Sequence, residues 1–126
     1  MKERRVQRIS SGIKKIISEA LINDIKDPRI NNTKTSVTDV ETTNDLSFSY
    51  IYISVFGNED EKAETLKGFE KAKGFLRKKI SSNLDLRHTP TLIFKLDESI
   101  EKGINMGKLI NKVVENDKLK QEQYND

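Results

Sequence analysis

The chain has 126 residues, 34% apolar and 34% charged, with a net charge of +3 and no cysteine. That length suits one domain with a real but small core. The absence of cysteine excludes disulfides and thiolate metal sites and fits a reducing cytoplasm. No stretch approaches the roughly 18 apolar residues of a membrane span. MKERRVQRIS carries no apolar run behind its basic residues, so no secretory signal is expected.

The distribution of charge says more than its sum. Residues 1–29 hold 8 Lys/Arg against 4 Asp/Glu, residues 30–60 hold 1 against 5, and residues 61–90 hold 8 against 4. Residues 91–126 hold 6 against 7. Two basic blocks flank an acidic one. Brought together in space, they would form a surface suited to a polyanion.

Residues 3–26 read as an amphipathic helix. Val6, Ile9, Ile13, Ile16, Ile17 and Ala20 fall within about 100° of arc, with Arg4, Arg8, Ser11 and Lys15 opposite. Asp27-Pro28 ends it, because the residue before proline avoids the helical region. Residues 34–41, rich in Thr and Val, predict a strand. Residues 46–56, LSFSYIYISVF, predict a second, with TTND between them as a hairpin turn. Ile51, Ile53 and Val55 share one face of this strand, and Phe48, Tyr50, Tyr52 and Phe56 the other.

A further helical pattern runs from about 60 to 84, with Leu66, Phe69, Ala72, Leu76, Ile80 and Leu84 as its stripe. Gly74 interrupts it. A glycine costs about 1 kcal/mol relative to alanine inside a helix. The pattern therefore predicts a kink that splits the element in two. TLIFKLD, 91–97, predicts a third strand. Ser99 caps a last helix carrying Ile100, Ile104, Ile110 and Val114, and the end of the chain is polar. The expected order is α-β-β-α-α-β-α.

Gly74 lies between Lys71 and Lys78 on a helical projection, on the side of Lys67. One reading is a phosphate site, with amides exposed at a kink among lysines. The other is a packing kink with solvated lysines around it. The outer face of the first helix, Arg4, Arg8 and Lys15 with the neighbouring Arg5, is a second candidate surface. Lys73, Arg77 and Arg87 are candidates near the kink; arginine's planar fork suits phosphate.

Enzymatic signals are weak. The single histidine, His88, sits in a polar loop, and no Ser/His/Asp set is possible without it. No Walker or dinucleotide glycine pattern is present, and GINMG, 103–107, reads as a close-packing stripe. No catalytic residue, metal ligand or cofactor is expected.

Several landmarks occur in order: R-V-Q-R-I at 5–9, D-P-R at 27–29, D-L at 45–46 leading into Y-I-Y-I-S, A-K-G-F-L-R at 72–77, L-R-H-T-P-T-L-I-F at 86–94, and D-E-S at 97–99. Over residues 3–117 the chain resembles the ribosome-binding factor A family of bacterial small-subunit assembly factors. The resemblance implies an α+β, type II KH-like domain over residues 1–117: a three-stranded sheet packed by helices, then a short polar tail over 118–126. Such domains usually clamp nucleic-acid backbone with a G-x-x-G loop. The family carries an A-x-G kink instead, here Ala72-Lys73-Gly74. The resemblance also implies a non-enzymatic cytoplasmic protein, with no membrane partner, that binds the free immature 30S subunit. It would assist late 16S ribosomal RNA maturation, including 5′-end processing, notably in the cold. Release would be coupled to an assembly GTPase, and a monomer suffices. Two other readings stand beside it: a generic single-stranded RNA binder of KH type, and a protein-interaction module using Phe48, Tyr50, Tyr52 and Phe56.

Overall fold

The structure is a computed structural model that describes residues 2–99. Its order is α1 (Lys2–Asn23), β1 (Thr35–Thr42), β2 (Phe48–Val55), α2 (Glu59–Leu84) and β3 (Thr91–Leu96). The expected last helix and the boundary between domain and tail lie outside the described residues. The strands form one sheet in the order β1-β2-β3. β1 pairs antiparallel with β2, as a hairpin must. β2 pairs parallel with β3, from Phe48 opposite Thr91 to Ile53 opposite Leu96, with α2 as the crossover.

Both helices lie on one face of the sheet. The buried cluster joins Ile9, Ile13, Ile17, Ala20 and Leu21 of α1 to Phe69, Leu76 and Ile80 of α2, and to Val37, Val40, Ile51, Ile53, Val55, Leu92 and Phe94 of the strands. Phe69 and Phe94 meet with ring centroids 5.3 Å apart. The stripe read from the sequence of α1 is thus the buried face. A chain of hydroxyls runs inward beside this core: Ser10 donates to Thr42 at 2.8 Å, and Thr42 lies 2.8 Å from the fully buried Ser49. It satisfies polar groups that would be costly to bury alone.

The largest difference from expectation is at Gly74. α2 is a single helix of 26 residues running through it, and no glycine among the described residues has a positive φ. At Gly74 there is no second helix start and no row of freed amides. The helix is held on both sides of Gly74 by the buried Phe69, Leu76 and Ile80, which outweigh one unfavourable residue. Its start is fixed by a capping box: Asn58 Oδ1 accepts from the Glu61 N–H at 2.8 Å, and Glu61 Oε1 from the Asn58 N–H at 3.1 Å. Its end is a left-handed Asp85, with φ 49°.

The glycine of α2 that packing needs is Gly68. A Cβ there would lie 2.7 Å from Ile30 Cγ1, whereas one at Gly74 meets nothing within 4 Å. Ile30 is delivered by the D-P-R turn. Asp27 accepts from the Arg29 N–H and from its guanidinium, and Thr65 Oγ1, which donates to the Glu61 carbonyl at 2.8 Å, lies 3.2 Å from the Arg29 carbonyl. Gly68→Ala is expected to destabilise the fold by about 1–2 kcal/mol, the overpacking outweighing the helix propensity gained. Gly74→Ala is expected to stabilise it by up to about 1 kcal/mol. Urea denaturation of the two variants checks the contrast; equal midpoints would refute it.

Register shifts between Val37 and Asp39. Thr38 is the extra residue of this bulge. Its hydroxyl donates to Asp97 Oδ2 at 2.6 Å, with the Tyr52 carbonyl 3.3 Å away. Asp97 Oδ1 also accepts from the Ser99 N–H at 2.9 Å. Hydrogen bonds from Ser99 and then Thr38 pull Asp97 down to about 2, and bonds from Arg29 pull Asp27 down to about 2. A carboxylate whose pKa is lowered on folding contributes stability above its unfolded pKa, near 4, and loses it as pH falls toward the folded value. The melting temperature is therefore expected to drop between about pH 4 and pH 2. Asp97→Asn should flatten part of that fall; an unchanged acid profile would contradict the linkage.

Candidate nucleic-acid interface

Arg4, Arg5, Arg8 and Lys15 are all exposed on α1, as an amphipathic helix with its apolar stripe buried requires. None has an ion-pair partner among the described residues. The helix is tied to α2 at its middle and just past its C-terminal end. Gly12 lies under Leu84, where a Cβ would come within 2.8 Å of Leu84 Cδ2, and Asp24 pairs with Lys79 at 2.6 Å.

The cations of α2 separate into two groups. Several are engaged within the fold. Lys62 is buried between Glu59 and Glu98, at 3.5 and 3.2 Å. Lys73 pairs with Glu70 at 2.8 Å and sits 5.9 Å from the Phe94 ring centroid. Lys67 pairs with Glu64 at 3.2 Å, both well exposed. An exposed pair of this kind contributes about 0–1 kcal/mol and yields easily to a phosphate.

Arg77 belongs with the structural cations. It is half-buried, and its Nη2 donates to the Thr89 carbonyl at 3.0 Å, bracing the loop into β3. Its buried Nε has no partner among the described residues. The projection treated it as a surface group because Thr89 lies twelve residues away in the chain.

Lys71 and Lys78 form the second group. Both are exposed and without an ion-pair partner among the described residues, with Gly74 exposed between them at i, i+3 and i+7. Ala72 is half-buried behind this strip. Phe75 beside it is 47% exposed, with Lys79 5.8 Å from its ring centroid. Phe75 escaped the sequence reading because it lies one position off the apolar stripe. Neither packing nor backbone conformation in the described residues requires glycine at 74.

Arg87 is exposed in the α2–β3 loop, where it lines a cleft with Arg5 and Phe48. The sequence candidates therefore fall on three surfaces: the outer face of α1, the Lys71–Gly74–Lys78 strip, and this cleft. The aromatic face of β2 is a poor polyanion site. Tyr50 stands opposite Glu41 and Tyr52 opposite Asp39. Desolvation, then Glu41, pushes the Tyr52 hydroxyl upward. Phe56 lies past the end of β2 and is 70% exposed.

Among the described residues no cluster of His, Asp or Glu could hold a metal ion. No helix there is long and apolar enough to cross a membrane.

Comparison with known proteins agrees with this architecture. The family model described as Ribosome-binding factor A matches residues 5–110. The Ribosome-binding factor A of Finegoldia magna is 53% identical over 115 residues, covering 91% of this chain and 95% of that protein. A Thermotoga maritima protein solved by NMR in solution superposes with a TM-score of 0.65 at 30% identity, covering 72% of this chain and 85% of the other. A homology model of the Thermus thermophilus ribosome binding factor A, fitted into a cryo-electron-microscopy map of a 30S–RbfA complex, has a TM-score of 0.56 at 21% identity and shares the fold. It covers 71% of this chain and 91% of the other. With an α+β, KH-like fold and a family match running from α1 past β3, the chain belongs to the ribosome-binding factor A family.

Proposed function

We propose that this protein binds the free, immature small ribosomal subunit through the cationic faces of α1 and α2. There it assists late maturation of 16S ribosomal RNA, including processing of its 5′ end, and supports growth in the cold. It acts as a cytoplasmic monomer without catalysis, and an assembly GTPase promotes its release. Family membership supports this reading, as does the 30S complex of the Thermus thermophilus relative.

The observation that carries the surface is the Lys71–Gly74–Lys78 strip. Two exposed cations flank a helix position where a side chain would meet only open space. A glycine that destabilises its own helix and relieves no clash is explained by close approach of a partner's backbone. Because α2 is unbroken, its mid-helix amides are already hydrogen-bonded within the helix. Contact rests on side-chain charge and on proximity to the helix surface, not on an amide clamp. A rigid, charged rail of this kind suits folded RNA, where shape and phosphate positions are read, better than a splayed single strand. Arg4, Arg5, Arg8 and Lys15 on α1 and Arg87 in the loop extend the surface.

Co-sedimentation with isolated small subunits, large subunits and whole ribosomes at two salt concentrations tests the proposal. Selective binding to free small subunits, weakening steeply with salt as counterion release becomes less favourable, is the expected result. Equal binding to all three, or none, would defeat it.

A further inference from the structure

The cleft at one end of the sheet carries chemistry that the helix faces lack. The start of α1, the β1–β2 turn and the α2–β3 loop enclose about 570 Å³ there. That volume falls within the roughly 300–1,000 Å³ of sites that take a small-molecule-sized group. Arg5, Arg87 and His88 line it from two segments far apart in the chain. Its aromatic wall is Phe48, 42% exposed at the first position of β2. The only acid among its described lining residues is Asp45, whose Oδ1 is engaged within the hairpin. It accepts from the Thr43 hydroxyl at 2.8 Å and from the Ser47 N–H at 3.0 Å.

The lip is also held firmly. Leu46 has φ 63°, the left-handed region that bulky residues avoid, and it packs against the core. A non-glycine residue stays there only where its surroundings over-determine it. An exposed aromatic wall beside a constrained turn, with two arginines against one acid that is half engaged in the hairpin, complements an aromatic base attached to phosphate.

We infer that this cleft takes one unstacked nucleotide of the ribosomal RNA, its base lying on Phe48 and its phosphates meeting Arg5 and Arg87. The inference rests on the reading that the protein binds the small subunit, and it names a contact that the helix faces do not supply. Stacking on an aromatic ring tolerates any base, since each has a π-face. Arginine's fork grips phosphate in a fixed orientation. RNA loops and bulges supply bases already out of the stack. A side chain of a ribosomal protein is the competing occupant, and the cationic rim argues against it.

Ultraviolet cross-linking of the full chain to isolated small subunits, followed by digestion and mass spectrometry, is expected to show a nucleotide adduct on the Phe48 peptide. Phe48→Ala should weaken binding about tenfold, and Phe48→Tyr should retain it. Arg87→Gln should lower the slope of log affinity against log salt by about one. All three variants should melt with the wild type. If Phe48→Ala melts early, the cross-link and the Arg87→Gln slope decide. Wild-type binding by both Phe48→Ala and Arg87→Gln, or an adduct with a ribosomal protein instead of a nucleotide, overturns this assignment and leaves subunit binding standing. A wild-type chain that binds no small subunit overturns both.

Discussion

Replacing Lys71 and Lys78 together by Glu is expected to weaken binding to isolated small subunits by about 100-fold while the domain stays folded. Each charged hydrogen bond to phosphate contributes about 1.5 kcal/mol or more, and removing two amounts to roughly two decades of affinity. The salt slope should fall by about two, one unit for each phosphate that a lysine no longer neutralises. The pair is chosen because neither lysine has an ion-pair partner among the described residues, so its removal leaves no buried charge behind. Arg77→Glu would be a poor substitute, since it also releases the Thr89 carbonyl. Gly74→Gln sharpens the test: it should strengthen the helix and still weaken binding. Double-variant binding at wild-type affinity and wild-type salt slope would remove α2 from the interface.

Phe69→Ala is expected to lower stability by about 3–5 kcal/mol. Phe69 is fully buried where α2 meets the sheet, and its ring lies against Phe94. A small domain is stable by only about 5–15 kcal/mol in total, so the variant should be partly unfolded at physiological temperature. Phe69→Leu, closer in volume, should cost no more than about 1.5 kcal/mol. Urea midpoints read the difference, and a drop below about 1 kcal/mol for the alanine variant would contradict this packing. Subunit binding should follow the folded fraction only, because Phe69 faces the core and the Lys71–Gly74–Lys78 strip faces out.

The family landmarks in the sequence divide in the same way. D-P-R builds the turn that lays Ile30 over Gly68. D-L places Asp45 in the hairpin and Leu46 at its strained lip. D-E-S brings Asp97 to the bulge at Thr38. These motifs are architecture. The A-K-G segment is the one whose glycine the described fold does not need.

Sequence alone determined the three strands, the helical character of 60–84 and the buried stripe of α1, and it separated the two faces of β2 without saying which points inward. These depend on local energies: a 3.6-residue or two-residue apolar period, a cap, a proline. Local rules also predicted a break at Gly74, since they count its propensity cost and not the burial of Phe69, Leu76 and Ile80 on either side. Only the tertiary structure decided that Arg77, Lys79 and Lys62 are engaged across the fold, because these partners are remote in the chain: Thr89 for Arg77, Asp24 for Lys79, Glu98 for Lys62. It also decided which glycine is structural, since the clash at Gly68 comes from Ile30, thirty-eight residues earlier. Arg5, Phe48 and Arg87 meet in one cleft for the same reason. The parallel pairing of β2 with β3 brings the hairpin turn and the α2–β3 loop to one end of the sheet, and no local period encodes that pairing.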